Sequence, residues 1–268
     1  MFKKIKTKLK KYLVKIHWIS SVQFGFDIKR FLFAFLRIPG FIIDLISFKK
    51  KYKGKLIIVP SLHDKYTSNG DYEHEYFWQD LFVSQAIYLK NPELHIDIGS
   101  RIDGFIANLA TCMNVTVFDI REQNVKIPNV NFEQADLMSS SSVSKYQNKF
   151  KSISCLHTIE HFGLGRYGDP IMVDGFDIGF TNIVSMIDKG GLLYLSTPIS
   201  NSSYVEFNSN RVTDYKKIIE FSKNLDLTIK DFRTITANGV SKSLIENPQD
   251  GMKDIGDYIL GLFVLEKN

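Results

Sequence analysis

The sequence predicts an α/β protein with a doubly wound, mostly parallel sheet and an N-terminal basic helical extension. Three observations carry that expectation. Short apolar runs of strand type alternate with helix-like segments from about Leu56 onward, the pattern of a parallel sheet with crossover helices. Acidic residues stand at the ends of two successive strand candidates, Asp97 and Asp119, 22 positions apart. Residues 1–55 hold 15 Lys and Arg against only Asp27 and Asp44, in a chain whose formal net charge is +5, so the body is net acidic. With 268 residues, 44% of them hydrophobic, the chain can fill one large core.

The arm, residues 1–55, contains two apolar runs. In "MFKKIKTKLKKYLVKIHWI", Phe2, Ile5, Leu9, Leu13 and Ile16 fall at helical spacing with lysines between them. Such a helix lies on an acidic membrane surface or packs on the core with its lysines in water, and both readings stand. In "FLFAFLRIPGFIIDLISF", Arg37, the Pro39-Gly40 pair and Asp44 interrupt the apolar run and argue against a membrane span, and no signal-type cleavage site accompanies it. With the positive charge confined to the arm, the body offers no basic groove and nucleic acid is disfavoured as a partner. Cys112 and Cys155 both lie in apolar stretches and give no disulfide framework, which points to a reducing, cytoplasmic setting, peripheral on the inner face of the membrane if the arm is interfacial.

The body, residues 56–268, opens with "LIIVPSL", a strand candidate. A helical pattern follows through Phe77, Leu81, Ile87 and Tyr88 and ends at Asn91-Pro92. Six further strands are expected at "LHIDIGS", "VTVFDIRE", "SISCLHT", "GLLYLSTP", "LTIKDFRTI" and "YILGLFVLEK". "SSSSVS" after Met138 is a polar loop or a helix start.

In such sheets ligands lie beyond the carboxyl ends of the strands. In "HIDIGSRIDGFIANLA" Asp97 ends a strand, Gly99 starts a turn, and Gly104 opens a helix through Phe105, Ile106 and Leu109. Asp119, at the end of the next strand, is placed to accept both hydroxyl hydrogens of a ribose. "GSRIDG" departs from the dinucleotide fingerprint and no phosphate-cradling P-loop is present. An adenosine ligand without phosphates fits better, with Asp97 suited to a cationic amino-acid moiety; S-adenosylmethionine has those properties.

Asp97-x-Gly99, Asp119, "EQADL" with Asp136 and "GGLLYLSTP" together resemble class I S-adenosylmethionine-dependent methyltransferases. More narrowly, "DIGSRIDGF" with "CLHTIEHFGLGRYGDP" is similar to the family called domain of unknown function 268, from about Leu56 to the C-terminus. The resemblance implies a Rossmann-like sheet of about seven strands and S-adenosylmethionine as cofactor. Its binding set here would be Asp97, Gly99, Ser100, Arg101, Asp119, Ile120, Asp136 and Leu137. In it, Asp97 and Gly99 would line the methionine part, Asp119 would hold the ribose hydroxyls, and Asp136 with Leu137 would contact the adenine.

His157-x-x-Glu160-His161 reads in two ways. On a helix H-x-x-E-H is a zinc-peptidase pattern, giving a metal-dependent hydrolase, but here it follows an apolar strand and precedes Gly163, Gly165 and Gly168. The resemblance places it at the fourth strand end, where "TIEH" is similar to the "VLEH" of many small-molecule methyltransferases. Relatives with E-x-x-E-H bind a divalent metal; this chain has His157 at the first Glu position and no histidine after His161, so no metal is assigned. His161 is the candidate base, Glu160 would orient it or bind acceptor hydroxyls, and His157 is a third catalytic candidate or a packing residue. Arg166, Tyr167 and Asp169 offer a cation, a stacking face and an acceptor for a phosphorylated or sugar-like substrate, or form a plain turn cluster. Tyr76, Phe77 and Trp78 are a helical lid or core. The expected activity is O-methylation of a sugar, glycan precursor or other small polar metabolite, as in glycan biosynthesis. The rival is a non-catalytic scaffold or binding protein of the same fold.

Overall fold

A computed structural model describes residues 12–14, 16–62, 74–253 and 255–268. The chain divides into two compact units, residues 1–70 and 71–268.

In the first unit, Leu13 and Ile16 are helical and exposed; Phe2, Ile5 and Leu9 of the expected amphipathic set lie outside the described residues. A π-helical turn, Ile19–Gln23, follows, and Asp27 then caps helix α1 (Ile28–Lys51), its carboxylate accepting from the Arg30 N–H at 3.0 Å. Contrary to expectation, α1 runs unbroken through Pro39 and Gly40. A proline inside a helix forfeits one N–H bond and costs about 3 kcal/mol, and here the 24-residue helix holds on both sides of it. No residue of α1 is buried. The run "LIIVPSL" is not a strand: none of the sheet strands pairs with it, and Ile57, Ile58 and Val59 are exposed.

The second unit is built on a sheet of ten strands. They are β1 (His95–Ile98), β2 (Val115–Asp119), β3 (Val130–Gln134), β4 (Phe150–Leu156), β5 (Ile187–Ser200), β6 (Tyr204–Glu206), β7 (Asn210–Asp214), β8 (Leu227–Thr236), β9 (Gly239–Val240) and β10 (Ile259–Lys267). Their order is β3-β2-β1-β4-β5-β10-β8-β9, with β6 and β7 attached beside the end of β5. The pairs from β3 to β5 are parallel, and β10 inserts antiparallel between β5 and β8. The expected count of seven describes the run from β3 to β8; β9 at the edge and the β6–β7 hairpin make up the rest. All six strands expected after residue 90 form. They were legible because strands buried on both faces read as continuous apolar runs. In β5, Leu193 and Leu195 enter the core on one face of the sheet and Tyr194 the core on the other.

Helix α2 (Glu75–Lys90) ends where Asn91 takes a left-handed conformation (φ 47°), one residue before Pro92. Its buried face is Gln79, Val83 and Ile87, whereas Phe77, Leu81 and Tyr88 are exposed. The apolar periodicity had the wrong phase because a polar residue occupies the inner face: Gln79 Oε1 accepts from Ser196 Oγ on β5 at 2.5 Å. After β1, a π-helical turn (Ile102–Ile106) and α3 (Ala107–Ala110) bury Phe105, Ile106 and Leu109. The serine run forms α4 (Ser140–Val143), followed by α5 (Gly175–Met186) and α6 (Tyr215–Asn224).

Two polar residues lie wholly buried in β1. His95 Nδ1 is 2.8 Å from Ser152 Oγ and Nε2 is 2.9 Å from Ser154 Oγ, while Ser154 Oγ donates to Asp97 Oδ1 at 2.6 Å. Ser154 therefore accepts from His95, which places the ring hydrogen on Nε2. Burial pushes the His95 pKa down to about 3, and the neutral ring ties β1 to β4.

The phase of α2 is tested by urea denaturation. Ile87→Ala should cost roughly 2–5 kcal/mol, the range for large core truncations, and Tyr88→Ala less than about 0.5 kcal/mol. Equal losses would contradict the observed face.

Candidate functional site

A cavity of about 330 Å³ opens at the carboxyl ends of β1 to β4. Gly99, Ser100 and Arg101 line it after β1, Asp119, Ile120 and Arg121 after β2, and Asp136 and Leu137 after β3. His157, Thr158 and His161 follow β4, Arg166, Tyr167 and Asp169 come from the next loop, and Tyr76, Gln79 and Asp80 come from α2. All the residues expected in the site meet there except Asp97 and Glu160, which are fully buried behind its wall.

Asp97 builds the cradle instead of facing it. Its Oδ2 accepts from the Ser100 N–H at 2.9 Å and its Oδ1 from Ser100 Oγ at 2.7 Å, which locks the turn after β1. Burial pushes its pKa up to about 6, against the hydrogen bonds from Ser154 and Ser100. In that turn Gly99 has φ +69°, and an added Cβ would stand 2.5 Å from Thr158 Cγ2. Only glycine leaves this wall open.

A further carboxylate, Asp80 on α2, lines the cavity and was missed by sequence reasoning. Burial raises its pKa, with Gln79 Nε2 donating to it at 3.1 Å in opposition. The available signal was Tyr76, Gln79 and Asp80 at i, i+3 and i+4, three polar groups on one helical face. Tyr76 does cover the site, stacked on His157 at 4.6 Å, but the rest of the expected lid does not: Phe77 is exposed and Trp78 Nε1 donates to Ala237 O at 3.0 Å.

Asp119 stands at the end of β2 but is not free. Arg121 donates to it through its backbone N–H (2.8 Å), Nε (2.9 Å) and Nη2 (2.6 Å). A ligand that takes this carboxylate displaces the Arg121 side chain. That guanidinium already rests over the Tyr167 ring, 4.7 Å from its centre, with Arg166 at 5.2 Å from the same ring. Asp136 Oδ1 accepts from the Met138 N–H at 2.8 Å.

Glu160 and His161 lie on a 3-10 turn, Ile159–His161, with His157 in the bend before it, so the two histidines do not share an α-helix face. His157 is left-handed (φ 53°), its Nδ1 pairs with Glu160 Oε1, and its Nε2 lies 3.4 Å from Glu75 Oε1. Burial alone would lower its pKa, but the two carboxylates outweigh it and raise it to about 9. Conversely, Glu75 is lowered by its bond to His157. Both ring nitrogens of His157 are thus turned to carboxylates, Nδ1 to Glu160 and Nε2 to Glu75. Among the described residues no group of three or more His, Cys, Asp or Glu is arranged to hold a metal.

His161 differs through its neighbours. Its Nδ1 donates to Ser209 O at 2.7 Å, which leaves Nε2 without a hydrogen, 3.9 Å from Glu160 Oε1. Burial lowers its pKa, opposed by Glu160 and assisted by Arg166. Arg166 Nη1 donates to the same carbonyl at 2.9 Å. Asp169 organises the loop: its carboxylate accepts from the N–H groups of Gly163 (2.9 Å), Gly165 (3.1 Å) and Tyr167 (3.1 Å).

The His157 cluster makes stability depend on pH. A folded-state pKa raised from 6.5 to about 9 adds stability that is complete below about 6.5 and lost as pH rises through 9. The loss should be on the order of 3 kcal/mol. His157→Gln should flatten the urea-midpoint profile between those limits; an unchanged slope would refute the buried imidazolium.

Three comparisons bear on identity. Residues 113–257 match the family DUF268, described as a Caenorhabditis protein of unknown function. No curated protein matches the chain. Among solved structures, the cyclase SpnF is similar at 13% identity and a TM-score of 0.50, over 70% of this chain and 80% of its own. The 1,6-didemethyltoxoflavin-N1-methyltransferase of Burkholderia thailandensis, solved with 1,6-didemethyltoxoflavin and S-adenosylhomocysteine bound, is similar at 13% identity and a TM-score of 0.50, over 73% of this chain and 80% of its own. At such identity the likeness is one of fold, and a cyclase and a methyltransferase share it. The chain thus has the Rossmann-like class I methyltransferase fold, and its match over more than half its length makes it a member of the DUF268 family.

Proposed function

We propose that the protein is an S-adenosylmethionine-dependent O-methyltransferase acting on a sugar, a glycan precursor or another small polar metabolite. The observation that carries this reading is that one cavity joins a nucleoside-type half, Gly99 to Asp136, to a half that presents an unprotonated His161 Nε2. When bound, S-adenosylmethionine supplies a methyl group on a sulfonium. The Gly99-Ser100 turn and Asp80 suit its amino-acid end, Asp119 and Ile120 its ribose, and Asp136 with Leu137 its adenine.

Methyl transfer is an in-line displacement, so the chain's main contribution is to hold an acceptor oxygen at ~3–3.5 Å from the methyl carbon. His161 Nε2 takes the hydroxyl proton, a contribution of typically ~10²–10⁴-fold. Glu160 lies between both histidines and stabilises the charge that His161 acquires. Arg166 and Tyr167 at the rim suit a phosphorylated or sugar-like acceptor. The free cysteines, Cys112 exposed and Cys155 buried, accord with a reducing, cytoplasmic setting.

Calorimetric titration with S-adenosylhomocysteine tests the cofactor. Wild type should bind and Asp119→Ala should bind at least about tenfold more weakly with unchanged unfolding, the loss of roughly one charged hydrogen-bond set. Folded wild type that does not bind would instead favour the non-catalytic binding protein. With a methylatable sugar, turnover should rise with pH as His161 loses its proton, with the limb below the ordinary value of 6.5. His161→Gln should keep cofactor affinity, lose ~10²–10⁴-fold in turnover and abolish that limb; a surviving limb would exclude His161 as the base.

A further inference from the structure

We propose that α1 is an integral membrane anchor, inserted into a lipid bilayer with anionic headgroups at its two basic ends. At 1.5 Å per residue its 24 residues reach about 36 Å, enough for a hydrocarbon layer of ~30 Å. It is the one helix among the described residues long and apolar enough to cross a membrane, and none of that apolar stretch is buried by protein.

The distribution of its side chains selects lipid as the occupant. Phe31, Leu32, Phe33, Leu36, Ile38 and Phe48 are all exposed, and at 100° per residue they surround the helix. A second copy or a partner protein covers one side of a helix; a helix apolar all round is covered by a core or by lipid. Within the apolar stretch the charges are one of each sign, Arg37 and Asp44, seven residues apart and hence on one face. Lys29 and Arg30 flank one end, and Lys49, Lys50 and Lys51, with Lys53 and Lys55 beyond them, flank the other. Both ends therefore match anionic headgroups. Proline inside a helix, unusual in water, is tolerated in membrane helices.

The full chain should be mixed with vesicles of phosphatidylcholine and phosphatidylglycerol and floated on a density gradient. The expected result is flotation that survives high salt and alkaline carbonate and is lost in detergent. Phe35→Asp combined with Ile43→Asp should reduce the floated fraction at least tenfold while the thermal unfolding of the protein stays the same. Release by high salt alone would overturn insertion in favour of surface binding. Soluble oligomers that the double variant dissociates would assign α1 to a second copy, and a soluble monomer would assign it to the chain's own body. A double variant that still resists carbonate would show that α1 is not the anchor.

Discussion

Asp97 is wholly buried at the end of β1, where its two oxygens accept from Ser154 on β4 and from the side chain and backbone of Ser100 in the following turn. An ionised carboxylate is costly to bury, and hydrogen bonds to a charged group, about 1.5–3 kcal/mol each, are what offset it. Its pKa of about 6 records that burial still outweighs them. The consequence is geometric. One carboxylate fixes the separation of β1 and β4, the left-handed conformation at Gly99 and hence the open wall of the cavity, with His95 extending the same chain inward to Ser152.

On the other side of the cavity, two histidines four residues apart acquire opposite protonation states from their neighbours. His157 lies between Glu75 and Glu160 and under Tyr76, so it is held as a cation. His161 spends Nδ1 on a carbonyl and faces Arg166, so it is held neutral with Nε2 available. Glu160 is common to both, and as a fully buried carboxylate it needs at least one cationic partner.

The two units place their apolar residues differently. The α/β unit hides its apolar residues on both faces of the sheet, while α1 turns its apolar residues outward along its whole length. The charge asymmetry follows that division, with the basic residues gathered where the apolar helix begins and ends.

The sequence by itself determined the α/β class, the six main strands, and the strand ends at which the site lies, because buried parallel strands read as continuous apolar runs and acids at their ends stand out. It left β3 outside the six apolar runs and β6, β7 and β9 unseen, since short strands owe their existence to a neighbour rather than to their own pattern. It also misplaced the phase of α2, where Gln79 faces inward because Ser196 waits for it. Asp97, Asp80 and Asp119 are identical in sequence terms; only the packing of β4, α2 and Arg121 around them decided which builds the wall, which faces the cavity and which is held by an arginine. The protonation of His157 and His161 is of the same kind. A residue's charge and direction are set by groups that come near it through the fold, among them Glu75, Ser209 and Tyr76, and the spacing of residues along the chain does not record those distances.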